Sequence, residues 1–550
     1  MTTVRTEIRK RDGLARIGIA TIDGTPVKTP AVLDTTEFFP SLLSMKHTNV
    51  PLFSPEGFVR EYSVQSGDQP VTIHPLIDNP AKSEECVMVA NWHTAFSNPR
   101  NYVDWLEALK SKTPPDTTWY APGTALPSNV HILTYSGFDL FDFRAVDLKA
   151  AQGIFCTLEG EFTKTIMNSG ICSCEGCRTG SLKLHNRQAL LREIALVTRF
   201  IEQGQLRELV ESRCRMHAPH VSILRHLDAR YGFMEPYAPI GRGSVMLVNS
   251  GESMNRPEIR RFAERVTTRY LPPKSDVCVL LPCSAKKPYS LSRSHHRFQA
   301  AVAHRAHELI VTSPLGLVPR ELETVYPAGH YDVPVTGYWD AEECAVIAGV
   351  IGRYFERNRY RRIIAHLDGG ALIVAEMAAE ACAIEMEYSC RDRPADDAAL
   401  ERLHQALSGE RRIKDDRLHG MCSYQFGIDL DTRGFSVRGR FPEIFFMKNN
   451  VQCFSVDIAT GLLRPTFEGW NLIPSGCRVI IDDFIPEGDV LVPGVVSADP
   501  AIREGDEVLV TGPRAWATGK AAMSGDEMRR SHRGVAVRVR KVKKLQIQSV

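Results

Sequence analysis

The stretch Val277-Cys278-Val279-Leu280-Leu281-Pro282 constrains this chain most: five apolar residues, mostly β-branched or Leu, closed by a proline. A short, unbroken apolar run reads as a strand buried on both faces, the kind that parallel sheets contain. Pro282 has no N–H to donate, so the strand is expected to end there. Leu309 to Thr312 and Ile363 to Ala365 repeat the pattern, and all three strands run into polar loops. These are Cys283-Ser284-Ala285-Lys286-Lys287-Pro288-Tyr289, the segment from Ser313 to Glu321, and His366-Leu367-Asp368-Gly369-Gly370. Helical patterns lie between them. The clearest opens at Asp340 with Glu343 in capping-box register, and Cys344, Ile347, Val350, Ile351, Tyr354 and Phe355 form its apolar face. Right-handed crossovers bring the loops to one sheet edge, where open α/β sheets place their chemistry.

Cys283 is the candidate nucleophile of that edge. Lys286 and Lys287 beside it favour a thiolate, and Ser292 or Ser294 can cap the next helix. Ser284 and Tyr289 add hydroxyls, while His295, Asp332 and Asp368 are candidates for proton transfer. His296, His330 and His366 share that chemistry, although a solvated or core histidine is the commoner fate of each. A buried, inert cysteine among solvated lysines is the competing reading.

The chain's 550 residues suffice for about three to five domains. A net charge of +2 excludes global attraction to polyanions, so any nucleic-acid surface must be local. The absence of a run of about 18 apolar residues argues against a membrane span. Met1 to Lys28 alternates charged and apolar residues, unlike a signal sequence. Fourteen cysteines in such a chain suggest reduced thiols plus a metal site, in a cytoplasmic protein.

The metal site has a strong signature. Cys172, Cys174, Cys177 and His185 offer three thiolates and an imidazole in a short window, a set that suits tetrahedral structural Zn2+. In the helix that follows, Leu190, Leu191, Ile194, Val197, Phe200 and Ile201 recur at helical spacing. Earlier, Val87-Met88-Val89 and Val130 to Thr134 read as strands and Tyr102 to Leu109 as a helix, a β/α rhythm. Beyond Arg478 the pattern becomes short strands and turns. From Arg529 to Lys544 the chain has eight Lys or Arg and no acid.

The Cys-x-Cys-x-x-Cys…His-Asn motif resembles the zinc motif of tRNA-guanine transglycosylases. So do Gly13 to Leu33, with Ala15-Arg16-Ile17-Gly18 and Thr29-Pro30-Ala31, and Gly137-Phe138-Asp139-Leu140-Phe141-Asp142. In that family the final Asp, here Asp142, attacks the nucleoside sugar. The family's Pro-Thr-x-x-Ala-Arg continuation and its Asp-Ser-Gly-Gly-Phe-Gln segment are both missing, and the Cys-to-His gap is shorter. Asp142 is therefore expected to be a relic. Pro282-Cys283-Ser284-x-x-Lys287-Pro288-Tyr289 with Ser292-x-Ser294-His295 resembles the archaeosine synthases, and the C-terminal Pro-Gly-Val, Gly-Asp-Glu-Val and Gly-Val-Ala-Val segments resemble a PUA domain.

These resemblances imply a multidomain α/β chain. Residues 1–235 form a reduced (β/α) barrel-like, transglycosylase-like domain with the zinc site, and residues 236–394 a doubly wound α/β catalytic domain. Residues 395–473 form a small α+β connector, and residues 474–550 a C-terminal PUA β-barrel in which Arg529, Arg530, Arg533, Arg538 and Arg540 meet RNA phosphates. The implied activity is addition of an amine donor (lysine preferred, glutamine or ammonia as alternatives) to the nitrile of 7-cyano-7-deazaguanine in the D-arm of tRNA. A radical-SAM partner enzyme and a homodimer are further expectations. An active transglycosylase and a non-catalytic tRNA-binding scaffold are the rival readings.

Overall fold

The computed structural model describes residues 4–34, 38, 64–66, 69–71, 86–88, 98–333, 339–414 and 416–545. Two compact units emerge: residues 1–238 with 490–495 and 523–536, and residues 239–489 with 496–522 and 537–550.

The first unit opens with an antiparallel sheet of β1 (Val4–Asp12), β2 (Ala15–Ile22) and β3 (Thr25–Thr29). A parallel sheet follows, made of β4 (Ala31–Leu33), β5 (Cys86–Met88), β6 (Thr118–Tyr120) and β7 (Leu140–Asp142) in the order β4-β7-β6-β5. Among the described residues these four strands are the unit's parallel sheet. The β/α rhythm holds through α1 (Pro99–Lys112) and α3 (Arg144–Ala151). One expected strand is a helix instead: α2 (Val130–Tyr135), with all six residues buried. A segment buried all round has no hydrophobic period, so its sequence does not distinguish the two states. Strand β8 (Ile154–Cys156) then leads to α4 (Glu175–Thr179) and the long α5 (Leu182–Gln203). Leu190, Ile194, Val197 and Ile201 of α5 enter the core, whereas Leu191 is exposed.

The second unit is built on a five-stranded sheet of β9 (Val277–Pro282), β10 (His307–Thr312), β11 (Gly316–Pro319), β12 (Arg362–His366) and β13 (Glu387–Cys390), in the order β11-β10-β9-β12-β13. Only the β10–β11 hairpin is antiparallel. Pro282 still pairs with Val311 at the last position of β9. Alternate residues of β9 serve opposite faces, as a pleated strand requires. Val277, Val279 and Leu281 pack with Phe298 and Val302 of α6 (Arg293–Val302) and Leu403 of α9 (Asp397–Ala406). Cys278 and Leu280 face the other way, into the core with Ile347 and Ile351 of α7 (Ala341–Arg357) and Val374 of α8 (Gly369–Cys382). The winding reverses between β10 and β12, which flank β9 on opposite sides. A crevice at that switch point opens beyond the carboxyl ends of β9 and β12.

After α10 (Arg417–Phe426) comes an antiparallel sheet of β14 (Phe435–Arg440), β15 (Glu443–Lys448), β16 (Val451–Val456) and β17 (Leu463–Pro465). The C-terminal sheet includes β18 (Arg478–Ile481), β19 (Glu507–Thr511), β20 (Ala515–Ala521) and β21 (Val535–Lys544), with β19-β20-β21 antiparallel. No helix among the described residues is long and apolar enough to cross a membrane.

Candidate functional site

The crevice at the switch point is a cavity of about 460 Å³. Pro282 and Cys283 from the end of β9, Ser313 from the end of β10 and Asp368 after β12 all reach it, so the three loops converge as crossover handedness requires. Asp340, Glu342 and Glu343 from the start of α7 add carboxylates, and Asn249, Ser250, Asn255 and Trp339 add further polar and aromatic surface. The Asp340–Glu343 capping box forms as expected, and Glu343 also accepts a hydrogen bond from the Ser313 hydroxyl. A Cβ on Gly370 would come within 2.7 Å of the Trp339 ring, so glycine there lets the indole lie against the start of α8.

Behind Cys283 runs a chain of hydroxyls. The Thr312 side chain acts on the Cys283 thiol, holding it down, and its hydroxyl donates to the Ser313 carbonyl at 3.0 Å. Thr312 Oγ1 lies 2.6 Å from the Tyr331 hydroxyl, which lies 2.8 Å from that of Tyr289. Burial drives both phenols upward, so they stay protonated. Tyr289 is among the candidates that the sequence suggests. Thr312 and Tyr331 are not, although Thr312 ends an apolar run and Tyr331 stands in a polar, aromatic segment.

The thiolate expectation needs correction. Burial raises the Cys283 thiol above its ordinary range, and the Thr312 side chain and the Lys287 charge oppose that without reversing it. Lys287 is itself lowered by burial, with Cys283 and Asp332 pulling the other way, and its Nζ sits 4.0 Å from the Tyr331 ring centre. Lys286 is exposed. The Ser284 hydroxyl donates to the Lys286 carbonyl, which makes it a turn-former.

His295 is corrected more sharply. It is fully buried, and burial followed by the neighbouring Arg320 pushes it down to about 3. Arg320 donates to its Nδ1 at 2.8 Å, while Glu308 and Glu323 hold Arg320. A neutral ring of this kind cannot serve as a general acid. It lies against the Pro282 carbonyl, and Glu323 also accepts from the Ser290 N–H, so this network anchors both ends of the Cys283 loop. Asp332 is exposed and absent from the cavity lining. Asp368 lines the cavity and is raised, first by burial and then by Asp392.

In the first unit, the ligand atoms of Cys172, Cys174, Cys177 and His185 lie within 4.8 Å of one another. The Cys174 and Cys177 sulfurs are 3.3 Å and 3.4 Å from His185 Nδ1. Nε2 of the same ring is 3.0 Å from the Cys156 carbonyl, a partner that fixes the tautomer and turns Nδ1 toward the three cysteines. Phe155 stacks on the imidazole at 3.7 Å, and Ser181 caps the helix carrying it. A Cβ on Gly176 would fall 2.2 Å from the His185 backbone nitrogen, so the cysteine knuckle closes on the helix only with glycine there. Three thiolates and one imidazole fit a tetrahedral metal ion.

Asp142 is 1% exposed. Its carboxylate accepts from the Tyr120 hydroxyl and from the backbone N–H of Gly123 and Arg144, so its lone pairs are occupied. The C-terminal arginines separate into two groups. Arg540 forms a two-pronged pair with buried Glu507, while Arg530 binds Asp526 and the Ser111 and Thr113 carbonyls. Arg529 pairs with Asp526, and the Arg533 N–H donates to Asp116. Arg538 is exposed on β21, as are Lys541, Lys543 and Lys544. Arg530 and Arg540 are thus occupied within the protein, a consequence of partners far away in sequence.

A doubly wound α/β sheet with a cysteine at its switch point, a Cys3His cluster and a C-terminal sheet define a multidomain protein of mixed α/β class. Family models match at residues 259–407, a domain of unknown function (DUF5591), and at residues 478–543, the PUA domain. The archaeosine synthase of Haloferax volcanii is 35% identical over 98% of this chain and 99% of its own length. The archaeosine synthase subunit alpha of Methanosarcina acetivorans is 38% identical over 82% of this chain and 79% of its own length. A tRNA-guanine(15) transglycosylase of Methanobrevibacter smithii is 25% identical over 76% of this chain and 66% of its own length. The chain belongs to the archaeosine synthase family.

Proposed function

We propose that this protein is a tRNA-modifying transferase of archaeosine biosynthesis, in which Cys283 attacks the nitrile of 7-cyano-7-deazaguanine carried in the D-arm of tRNA. The observation that carries the reading is the position of Cys283: on the wall of an acid-lined cavity at the switch point, backed by the Thr312–Tyr331–Tyr289 hydroxyl chain. The sulfur adds to the nitrile carbon, the thiol proton leaves, and the nitrile nitrogen gains a proton, giving a thioimidate. The amine donor passes its ammonium proton to the carboxylate left by that protonation and attacks the same carbon, and the sulfur departs as thiolate, which leaves a protonated amidine. Asp368, raised by burial, supplies a proton near the nitrogen, and Lys287 steadies the sulfur's negative charge.

The carboxylates of Asp340, Glu342 and Glu343 favour a cationic donor, which supports lysine over neutral glutamine. A separate radical-SAM enzyme would then cleave the lysine adduct to archaeosine. The Cys3His cluster holds structural Zn2+. The occupied lone pairs of Asp142 weigh against base exchange.

Denaturing mass spectrometry of the protein incubated with nitrile-bearing tRNA and no amine should find a protein–RNA adduct on Cys283. Cys283→Ser should bind the tRNA yet form no adduct and lose turnover by several orders of magnitude. Near-wild-type turnover in Cys283→Ser would overturn the proposal.

A further inference from the structure

A second cavity, of about 650 Å³, has a different chemical character from the acid-lined one. Its floor is one face of the β14–β15 hairpin: Phe435, Val437 and Gly439 alternate along one strand, and Ile444 and Phe446 along the other. Its rim includes His296 of α6 together with Lys414 and Arg417. Phe441 lies at the edge with the Arg417 guanidinium 4.9 Å from its ring centre. Among the described residues, Asp416 is the only acid of the lining, and it accepts the Thr432 hydroxyl. Val437 is 62% exposed, high for an apolar side chain in a groove. Ser290 and Leu291 belong to this wall, so one continuous loop lines the acidic cavity at Pro282 and Cys283 and the basic, aromatic one a few residues later.

We infer that this groove holds an unpaired nucleotide segment of the tRNA next to the nucleotide presented to Cys283. The inference rests on the tRNA reading above. A nitrile inside a stacked arm is out of reach of a thiol in a crevice, so its nucleotide must be extruded and its neighbours lose their stacking partners. A groove that supplies apolar and aromatic surface beside cations makes good that loss. The bases stack on its rings, and Lys414, Arg417 and His296 face the phosphates. The acidic cavity repels the same backbone, which separates the polyanion from the amine donor along one loop.

Binding of full-length protein to a tRNA transcript, followed by fluorescence anisotropy across a salt series, tests this. Lys414→Ala should weaken binding and reduce the slope of log K against log salt by about 0.7 to 0.9. Phe441→Ala should weaken it roughly 5- to 100-fold with the slope unchanged. Val437→Asp, at an exposed side chain, should weaken it without a change in melting temperature, so the result does not depend on how well Phe441→Ala folds. Wild-type binding with unchanged affinity and slope in all three variants would overturn the groove alone. Equal losses on a fully duplex RNA would overturn the unpaired-segment assignment. A wild-type protein that binds no tRNA would overturn the functional reading itself.

Discussion

Burial decides the charge state of His295, and that choice has a thermodynamic consequence. In an unfolded chain the ring titrates near 6.5, whereas in the folded protein burial and Arg320 push it down to about 3. Below about pH 6.5 the unfolded state therefore takes up a proton that the native state refuses. The stability from this group is fully present above pH 6.5 and lost as pH falls towards 3, by at most about 1.4 kcal/mol per pH unit. His220, also pushed to about 3 by burial, adds to the same slope. Urea unfolding between pH 7.5 and 5 should show the decline, and His295→Gln should flatten it. An unchanged pH slope in that variant would remove His295 as its source. At Cys283 the order of effects is reversed in sign. Burial raises the thiol and Lys287 pulls it down, so the adduct-forming rate should still climb above pH 8.5, and Lys287→Met should shift that climb to higher pH. A rate profile unmoved by Lys287→Met would show that this charge does not act on the sulfur.

At the scale of elements, the Cys3His cluster joins a cysteine knuckle to the first turn of α5, and its geometry depends on Gly176 as much as on the four side chains. Purified protein should contain about one zinc per chain, and Gly176→Ala should lose it along with Cys174→Ala, because the added Cβ would fall 2.2 Å from the His185 backbone nitrogen and push the helix away from the knuckle. Metal analysis decides it: stoichiometric zinc in both variants would mean that the ion sits elsewhere. This element was legible in the sequence because its ligands are close along the chain. The switch-point loops were legible too, since the apolar runs at Val277, Leu309 and Ile363 each end in polar residues and crossover handedness fixes where those ends meet. What the sequence hid is of another kind. Val130–Tyr135 is buried on every side and carries no period, so its helical state comes from packing. The charge states of Cys283 and His295 depend on Thr312 and Arg320, which reach them only through the fold. The proximity of Lys286 to Cys283 along the chain says nothing about solvent, and Lys286 is exposed.

Across the whole molecule, net charge is nearly balanced, so affinity for tRNA must come from patches whose cations are not already neutralised. The acid-free run at the C-terminus is such a patch only in part. Arg540 compensates buried Glu507 and Arg530 binds backbone carbonyls, so substituting either would destabilise the protein and confuse the result. Deleting the C-terminal domain would be no cleaner, because residues 490–495 and 523–536 pack as part of the first compact unit. Arg538, Lys541 and Lys543 are exposed along β21 and can be changed without those costs. Replacing all three with Ala should raise KM for tRNA and leave kcat at saturating tRNA unchanged. The salt slope should fall by roughly 0.7 to 0.9 for each phosphate that is no longer neutralised. The melting temperature and zinc content should stay at wild-type values, since none of the three side chains is buried. A fall in kcat at constant KM would place these residues in the chemical step, and an unchanged salt slope would remove the β21 face from the tRNA-binding surface.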